Sequence, residues 1–250
     1  MTDSLASLHK LCPDLKVKVE TESEGAFFSD IAHLHAKAAS HGIDVAVKIS
    51  GVEALRDLYE ISRLNIAYFI APMVESTFGC YKFVESLAKL TPTIDGYILV
   101  ESATGVKNFK KICDFAASNN IKGIVIGRTD LAKSFSVEEG SDLKVDSPEI
   151  TETVVECFSY AQSQYPWITR AMGGSVSRRT VELIPGNFAG VVDYVETRKV
   201  VIPVPKLIQN PKILDSALAY ELEYLRSRVS YYDNILDPDR LRLVQLGSRL

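Results

Sequence analysis

A strand–helix–strand pattern at residues 96–136 most constrains the fold, because both of its strands end near an acidic residue. The apolar run at residues 97–100 is followed directly by Glu101. After a stretch with apolar residues at helical spacing, a second apolar run at residues 124–126 leads within four residues to Asp130. Parallel strands joined by a helix place their C-terminal ends on one face, where α/β folds carry their chemistry. The pattern therefore predicts an α/β fold with both carboxylates at that face.

Two converging carboxylates suit a hard divalent cation such as Mg²⁺, which takes oxygen ligands and leaves positions open for substrate. A second interpretation stays open for each acid. Glu101 precedes Ser102, which suits the N-cap of a helix, so Glu101 is also typical of a helix start. Asp130 is equally suited to capping a short turn that begins at Leu131.

The length of 250 residues matches one (β/α)₈ barrel, and a hydrophobic content of 46% is enough for a large core. We predict a single TIM-barrel domain over residues 1–250, with a C-terminal helix and tail from about residue 212 that exceed what the barrel needs. Beyond the central unit, strands are expected at residues 16–20, 44–49, 66–73, 167–172 and 190–197. Residues 200–204 either continue the seventh strand or form the eighth.

Charge and composition limit the partners. The net charge is −4, and no basic stripe with interleaved aromatic residues is present, which argues against nucleic acid. No apolar run approaches membrane-spanning length, and no signal-like N-terminal pattern is evident, so no membrane partner is expected. The four cysteines lie far apart, which favours reduced thiols and predicts a cytoplasmic protein.

Further charged residues follow the first two predicted strands. Glu20 and Glu22 belong to an alternating acidic run that repels itself unless it is solvated or offset by a cation. A solvated acidic helix start is the alternative. Lys48 ends the second strand, where desolvation is costly unless the ammonium meets an anion. Glu20, Glu22 and Lys48 are therefore candidate catalytic residues. Residues 134–150 are expected to form a polar loop that serves as a lid or a subunit contact.

Three segments carry a family resemblance. They are Val100-Glu101-Ser102, the run GIVIGRTDLAKS at residues 123–134, and DSPEI at residues 146–150. They resemble motifs of the metal-dependent (class II) pyruvate aldolase and citrate lyase β-subunit family, and the resemblance covers roughly residues 15–165.

The resemblance implies specific roles. Glu101 and Asp130 would bind Mg²⁺ (or Mn²⁺). Lys48 stands where the family has an Arg that holds the substrate carboxylate, so a two-point clamp becomes a point charge. The implied substrate-binding residues are Lys48, Gly127, Arg128 and Thr129, the last three through their backbone. Pyruvate aldolases carry a proton-transferring His after the first strand. This chain has Glu20 and Glu22 there, and a Glu suits that role if its pKa is raised.

The function implied is that of a metal-dependent carbon–carbon lyase or aldolase acting through an enolate. Its substrate would be a small carboxylate, namely a 2-oxo acid resembling pyruvate or oxaloacetate, or an acyl-thioester. Two alternatives stay open: hydrolysis or transfer on a phosphoenolpyruvate-like substrate, and a non-catalytic barrel that retains only its metal pair. Relatives exchange C-terminal helices between subunits, which predicts a homo-oligomer.

Overall fold

Eight strands form a closed barrel in sequence order in the computed structural model, which describes residues 4–21, 23–90 and 94–248. The strands are β1 (Lys16–Glu20), β2 (Asp44–Lys48), β3 (Tyr68–Ala71), β4 (Asp95–Val100), β5 (Gly123–Gly127), β6 (Thr169–Gly173), β7 (Tyr194–Glu196) and β8 (Val200–Pro203). The predicted TIM-barrel fold is confirmed.

Helices surround the barrel. They are α1 (Ser4–Leu11), α2 (Phe28–Ala39), α3 (Leu55–Ser62), α4 (Thr77–Leu87), α5 (Ala103–Lys107), α6 (Phe109–Ser118), α7 (Arg128–Glu139), α8 (Pro148–Gln164), α9 (Arg178–Leu183), α10 (Val204–Gln209) and α11 (Lys212–Gly247), with a π-helical segment at Ile184–Phe188. None of the helices in the described ranges is long and apolar enough to cross a bilayer.

The last strand runs against the others. Strands β1 to β7 pair in parallel, whereas β8 is antiparallel to both β7 and β1. Only residues 197–199 separate β7 from β8, and a connection that short allows a hairpin but no parallel crossover. Residues 200–203 are therefore the eighth strand, and the turn before them lies at the mouth where the parallel strands end.

Side-chain alternation along the strands produces two apolar cores. The larger core lies between the barrel and its helices, and on β1 it takes up Val17 and Val19. The smaller core fills the barrel with Ala46, Ile70, Leu99, Val125 and Ala171. Below it, the Lys16 ammonium lies 5.0 Å from the ring centre of Tyr68 and 5.6 Å from that of Tyr194. Above it, the interior positions are charged, so the polar site occupies the C-terminal mouth.

The expected polar loop at residues 134–150 is wrong over its first part. Helix α7 continues to Glu139 and ends at Gly140, which adopts a left-handed conformation with φ of 70°. An ion pair of 3.1 Å joins Glu139 to Lys107 at the end of α5 and holds the helix end on its neighbour. The irregular segment before α8 is therefore only residues 140–147.

Helix α11 changes character along its 36 residues. Its buried residues are Ile213, Leu214, Ala217 and Tyr220, all near its start. Apolar side chains from the middle of the helix onward are exposed, including Val229, Leu236 and Leu243. The C-terminal helix predicted from about residue 212 is thus present as one long element whose first turns pack on the barrel.

Candidate active site

A cavity of about 520 Å³ opens at the C-terminal mouth of the barrel. Its charged walls come from strand ends and from the segments that follow them, as expected for this fold. The charged lining residues are Lys18, Glu20, Lys48, Glu101, Asp130, Lys133, Glu196, Arg198 and Glu221. The sequence-predicted residues Glu20, Lys48, Glu101 and Asp130 are thus brought together, whereas Glu22 lies outside the described residues.

Glu101 is the most enclosed of the predicted metal ligands, with only 5% of its surface exposed. It directly follows β4, and Ser102 after it caps α5 by accepting a hydrogen bond of 3.0 Å from the Gly105 amide. The backbone N–H of Met73 donates to Glu101 Oε1 over 3.2 Å. Met73 has a φ of 54°, a conformation that costs a non-glycine residue energy and is often kept at functional sites.

Burial raises the pKa of Glu101 to about 7, with Lys48 opposing the rise and Asp130 adding to it. The positive charge of the surrounding protein therefore compensates only part of the negative charge of the Glu101 carboxylate. Its position also depends on Gly127, because a Cβ at that residue would lie 2.8 Å from Glu101 Oε2. The glycine on β5 leaves the space that the Glu101 side chain fills.

Asp130 lies in the first turn of α7, where an acidic side chain interacts favourably with the helix dipole. Its side chain is 53% exposed and pairs with Lys133 at 3.1 Å. It is the third residue of this helix, whose N-cap is Gly127, so Asp130 does not cap a turn at Leu131.

The chemistry of the donors fits a divalent cation that keeps part of its water shell. Among the residues that the structure describes, no cluster of three or more His, Cys, Asp or Glu residues forms a complete metal cage. Glu101 and Asp130 offer two carboxylates, and the charge of Asp130 acts on Glu101. Mg²⁺ is commonly bound by one or two carboxylates together with water and substrate oxygens.

Lys48 lies between the predicted catalytic and metal-binding acids. Its Nζ is 3.8 Å from Glu20 Oε2 and 3.8 Å from Glu101 Oε1, and its side chain is 17% exposed to the cavity. The expectation that Lys48 meets anions at the end of β2 is confirmed. A substrate carboxylate entering the cavity would approach this ammonium.

Glu20 belongs to a second group of buried charges centred on Lys18. The Lys18 Nζ donates to Glu196 Oε2 over 2.8 Å and lies 3.8 Å from Glu20 Oε1. Burial alone would raise the pKa of Glu20, but Lys18, Lys48 and a hydrogen bond from the Ser23 hydroxyl outweigh it, and the pKa is lowered. A Glu that replaces the family His was expected to have a raised pKa. For Glu20 this expectation is wrong, because its pKa is lowered and its carboxylate stays ionised.

The three residues that were predicted to bind substrate through their backbone separate into two groups. Gly127 and Thr129 line the cavity, and the Thr129 hydroxyl is 3.0 Å from that of Ser175. Arg128 does not line it. Its side chain is fully buried and donates to the carbonyls of Gly173 and Gly174 and to Asp146 Oδ1, the last over 2.6 Å. The Arg128 side chain therefore holds the wall of the site together and is not placed to bind substrate.

Residues that sequence reasoning missed complete the wall opposite Glu101. Lys18 shares a strand face with Glu20, so the period of two along β1 was a signal that could have found it. Glu24 and Lys199 form a buried ion pair behind the cavity. Leu218 and Glu221 come from α11, far along the chain, and no local motif marks them as cavity residues.

The fold and the mouth define a TIM barrel with an enzyme-type polar site at the carboxyl ends of its strands. The model of the HpcH/HpaI aldolase/citrate lyase family matches residues 27–166, which is more than half of the chain, so the chain belongs to this family of aldolases and lyases. The resemblance inferred from the sequence motifs is confirmed. A comparison with curated proteins finds no match by sequence.

Solved structures share the fold at low sequence identity. An HpcH/HpaI aldolase from Desulfitobacterium hafniense DCB-2 is 14% identical, with 90% of this chain and 88% of that chain covered and a TM-score of 0.63. An HpcH/HpaI aldolase/citrate lyase family protein from Burkholderia cenocepacia J2315 is 14% identical, with coverage of 90% and 91% and a TM-score of 0.60. Macrophomate synthase is 15% identical, with coverage of 92% and 82% and a TM-score of 0.58.

Proposed function

We propose that this protein is a divalent-metal-dependent carbon–carbon lyase that acts on a 2-oxo acid resembling pyruvate or oxaloacetate, or on an acyl-thioester, through an enolate. The observation that carries the proposal is the position of Glu101. It is a buried, incompletely neutralised carboxylate that faces the same cavity as Asp130 and Lys48. Such a site favours an additional cation and a small anionic substrate.

Glu101 and Asp130 are the residues that would hold Mg²⁺ or Mn²⁺, which when bound supplies positive charge to offset that of an enolate. Lys48 contributes an ammonium from β2, two strands away from β4, and attracts the substrate carboxylate into the cavity. Gly127 and Thr129 border the same space and limit how the substrate can turn. These groups orient the substrate with its carboxylate toward Lys48.

Among the described residues, Glu20 is the one to which we assign the proton transfer. In the addition direction, the substrate methyl group loses a proton to the Glu20 carboxylate and becomes an enolate. The enolate carbon then bonds to the carbonyl carbon of an aldehyde as its C=O π bond breaks, and the resulting alkoxide takes the proton back from Glu20. Cleavage reverses these steps. Because the pKa of Glu20 is lowered, it is a weak base, so the rate depends on how well the surrounding positive charge stabilises the enolate.

Deuterium exchange at the methyl group of pyruvate tests the proposal. Pyruvate in D₂O with the protein and Mg²⁺ or Mn²⁺ is expected to exchange its methyl protons faster than in protein-free buffer, and a chelator should abolish the difference. Parallel incubations with oxaloacetate and an acyl-thioester cover the other substrate classes. Metal binding without exchange or cleavage in any of them would instead identify a non-catalytic barrel.

The protein is further proposed to be a cytoplasmic homo-oligomer. Along α11, exposed apolar side chains recur every three, four or seven residues and form a stripe on one side of the helix. This apolar stripe consists of Leu222, Leu225, Val229, Leu236 and Leu243. A second copy of the chain covering it would remove these side chains from water. A cytoplasmic location is consistent with Cys12, Cys80, Cys113 and Cys157, which are free and buried.

A further inference from the structure

The end of the cavity farthest from Glu101 has its own polar character. In a ring of eight strands, β8 lies opposite β4, and the turn between β7 and β8 reaches the mouth on that side. Arg198 in this turn and Glu221 on α11 both line the cavity there. Glu221 interacts electrostatically with Lys199, Arg198, Glu24 and Lys18, which belong to the same side.

Glu221 has an unused hydrogen-bonding capacity. Its Oε2 is buried and has no hydrogen-bond partner in the described part of the chain. An unpaired buried carboxylate oxygen costs free energy that a donor in the cavity would recover. Rotation about the last side-chain bond turns either carboxylate oxygen toward such a donor.

Arg198 supplies the complementary group. Its Nε lies 3.5 Å from Glu24 Oε1, its side chain is half exposed, and within the described ranges its terminal nitrogens have no hydrogen-bond partner. The far end of the cavity therefore offers one acceptor and free donors that line the same space and interact electrostatically. An anion there would be repelled by Glu221, and an ammonium would be repelled by Arg198 and its lysine neighbours. A neutral hydroxyl group both donates and accepts, so it satisfies both residues.

We propose that Glu221 and Arg198 bind a hydroxyl group of the second reactant, so that the cavity selects a hydroxylated aldehyde as the partner of the enolate. This inference rests on the proposed function and names the chemical class of its second substrate. Leu218, one helical turn from Glu221, borders the same space with an apolar surface that suits the carbon chain of that reactant.

The test compares glyceraldehyde with propanal as acceptors for pyruvate, because both have three carbons and only glyceraldehyde carries hydroxyl groups. The ratio of kcat/KM for the two aldehydes is measured in the parent protein and in each variant. Dividing the variant ratio by the parent ratio cancels the different intrinsic reactivities of the aldehydes. It also cancels any general loss of active protein.

Glu221→Leu is expected to lower the ratio about tenfold or more, mainly by raising the KM for glyceraldehyde, because a hydrogen bond to a charged group is lost. Arg198→Met should lower the same ratio, and Glu221→Gln should lower it less, because an amide oxygen still accepts. Glu223→Gln is the matched control. It removes a charge from the same helix at a residue that pairs with Lys37 outside the cavity, and it should leave the ratio unchanged.

An unchanged ratio in both Glu221→Leu and Arg198→Met, with methyl exchange of pyruvate present in the parent protein, would overturn this inference alone. If the parent protein does not exchange the pyruvate methyl protons, the proposed function and this inference fail together. A ratio that falls equally in Glu223→Gln would show that the helix charge acts from a distance, and it would also overturn the role given to Glu221.

Discussion

Gly127→Ala should disturb the site without altering any charged group. A Cβ at this residue would lie 2.8 Å from Glu101 Oε2, 2.9 Å from Glu101 Cβ and 3.2 Å from Leu99 Cδ1. The contact with the Glu101 Cβ cannot be relieved by a new rotamer, since that atom is attached to the backbone directly after β4. Overpacking of this kind costs about 1–3 kcal/mol, and it displaces the carboxylate proposed to hold the metal.

Gly173→Ala is the matched control, because Gly173 pairs with Gly127 in register on the neighbouring strand. A Cβ there meets nothing closer than 3.6 Å, which is ordinary packing contact. Both substitutions lower the entropy of the unfolded chain equally, so the difference between the two variants isolates the clash.

Urea denaturation followed by circular dichroism measures the difference in unfolding free energy, and calorimetric titration with Mn²⁺ measures binding at the site. We expect Gly127→Ala to be less stable than Gly173→Ala by about 1–3 kcal/mol, or roughly 2–4 °C in Tm for each kcal/mol in a domain of this size. Its Mn²⁺ affinity should fall as well. Equal stability of the two variants would refute the reasoning that Gly127 is reserved for the Glu101 side chain.

Four further outcomes are expected. Asp130→Asn should abolish Mn²⁺ binding in calorimetry and leave the circular dichroism spectrum intact, because its side chain is half exposed. Lys48→Ala should raise the substrate KM about ten- to hundredfold in steady-state kinetics. Arg128→Met should lower the unfolding free energy by about 3–5 kcal/mol in urea titration, because it leaves buried partners unpaired. Replacing both Leu236 and Leu243 with Asp should convert the oligomer to monomers in light scattering.

Each of these outcomes has a result that contradicts it. Asp142→Asn, on the exposed loop beyond α7, removes the same charge and should bind Mn²⁺ normally, so equal affinity in the two Asn variants would exclude Asp130 as a ligand. Unaltered kinetics would remove Lys48 from the site. A loss below 1 kcal/mol for Arg128→Met would show that its partners find water instead. A parent protein that is already monomeric would refute the oligomer.

Much of the barrel, and the wall of the cavity that carries Glu101 and Asp130, could be predicted, because both follow from local patterns. An apolar run that ends on an acid places Glu101 at a strand end, and the family motifs add Asp130. The period of two along β1 also places Lys18 on the same face as Glu20, although only Glu20 was predicted to be a site residue. These inferences need no knowledge of distant contacts, since the strand alone decides which face a side chain occupies.

The parts that could not be predicted depend on long-range packing. The positive charges of Lys18 and Lys48 help to lower the pKa of Glu20, and the charge of Lys48 reaches it from β2, a different strand. Arg128 stands in a motif beside Asp130, yet its long side chain turns toward Asp146 and two carbonyls of the β6 end. Glu221 reaches the cavity only because α11 packs along the outside of the barrel. No residue near Glu221 in the sequence indicates this packing.

The reversed eighth strand has a consequence for how the cavity can diversify. Because β8 runs back toward the N-terminal end of the barrel, the chain must return along the outside of the barrel before Glu221 reaches the C-terminal mouth. The return is made by α10 and then by α11, and within a helix every added residue turns the following side chains by about 100°. One residue inserted in α11 between Lys212 and Glu221 would therefore rotate the glutamate out of the opening while all eight strands keep their pairing. Insertions in this part of α11 would therefore change the proposed acceptor preference, while Glu101 and Asp130 on the opposite wall keep their positions.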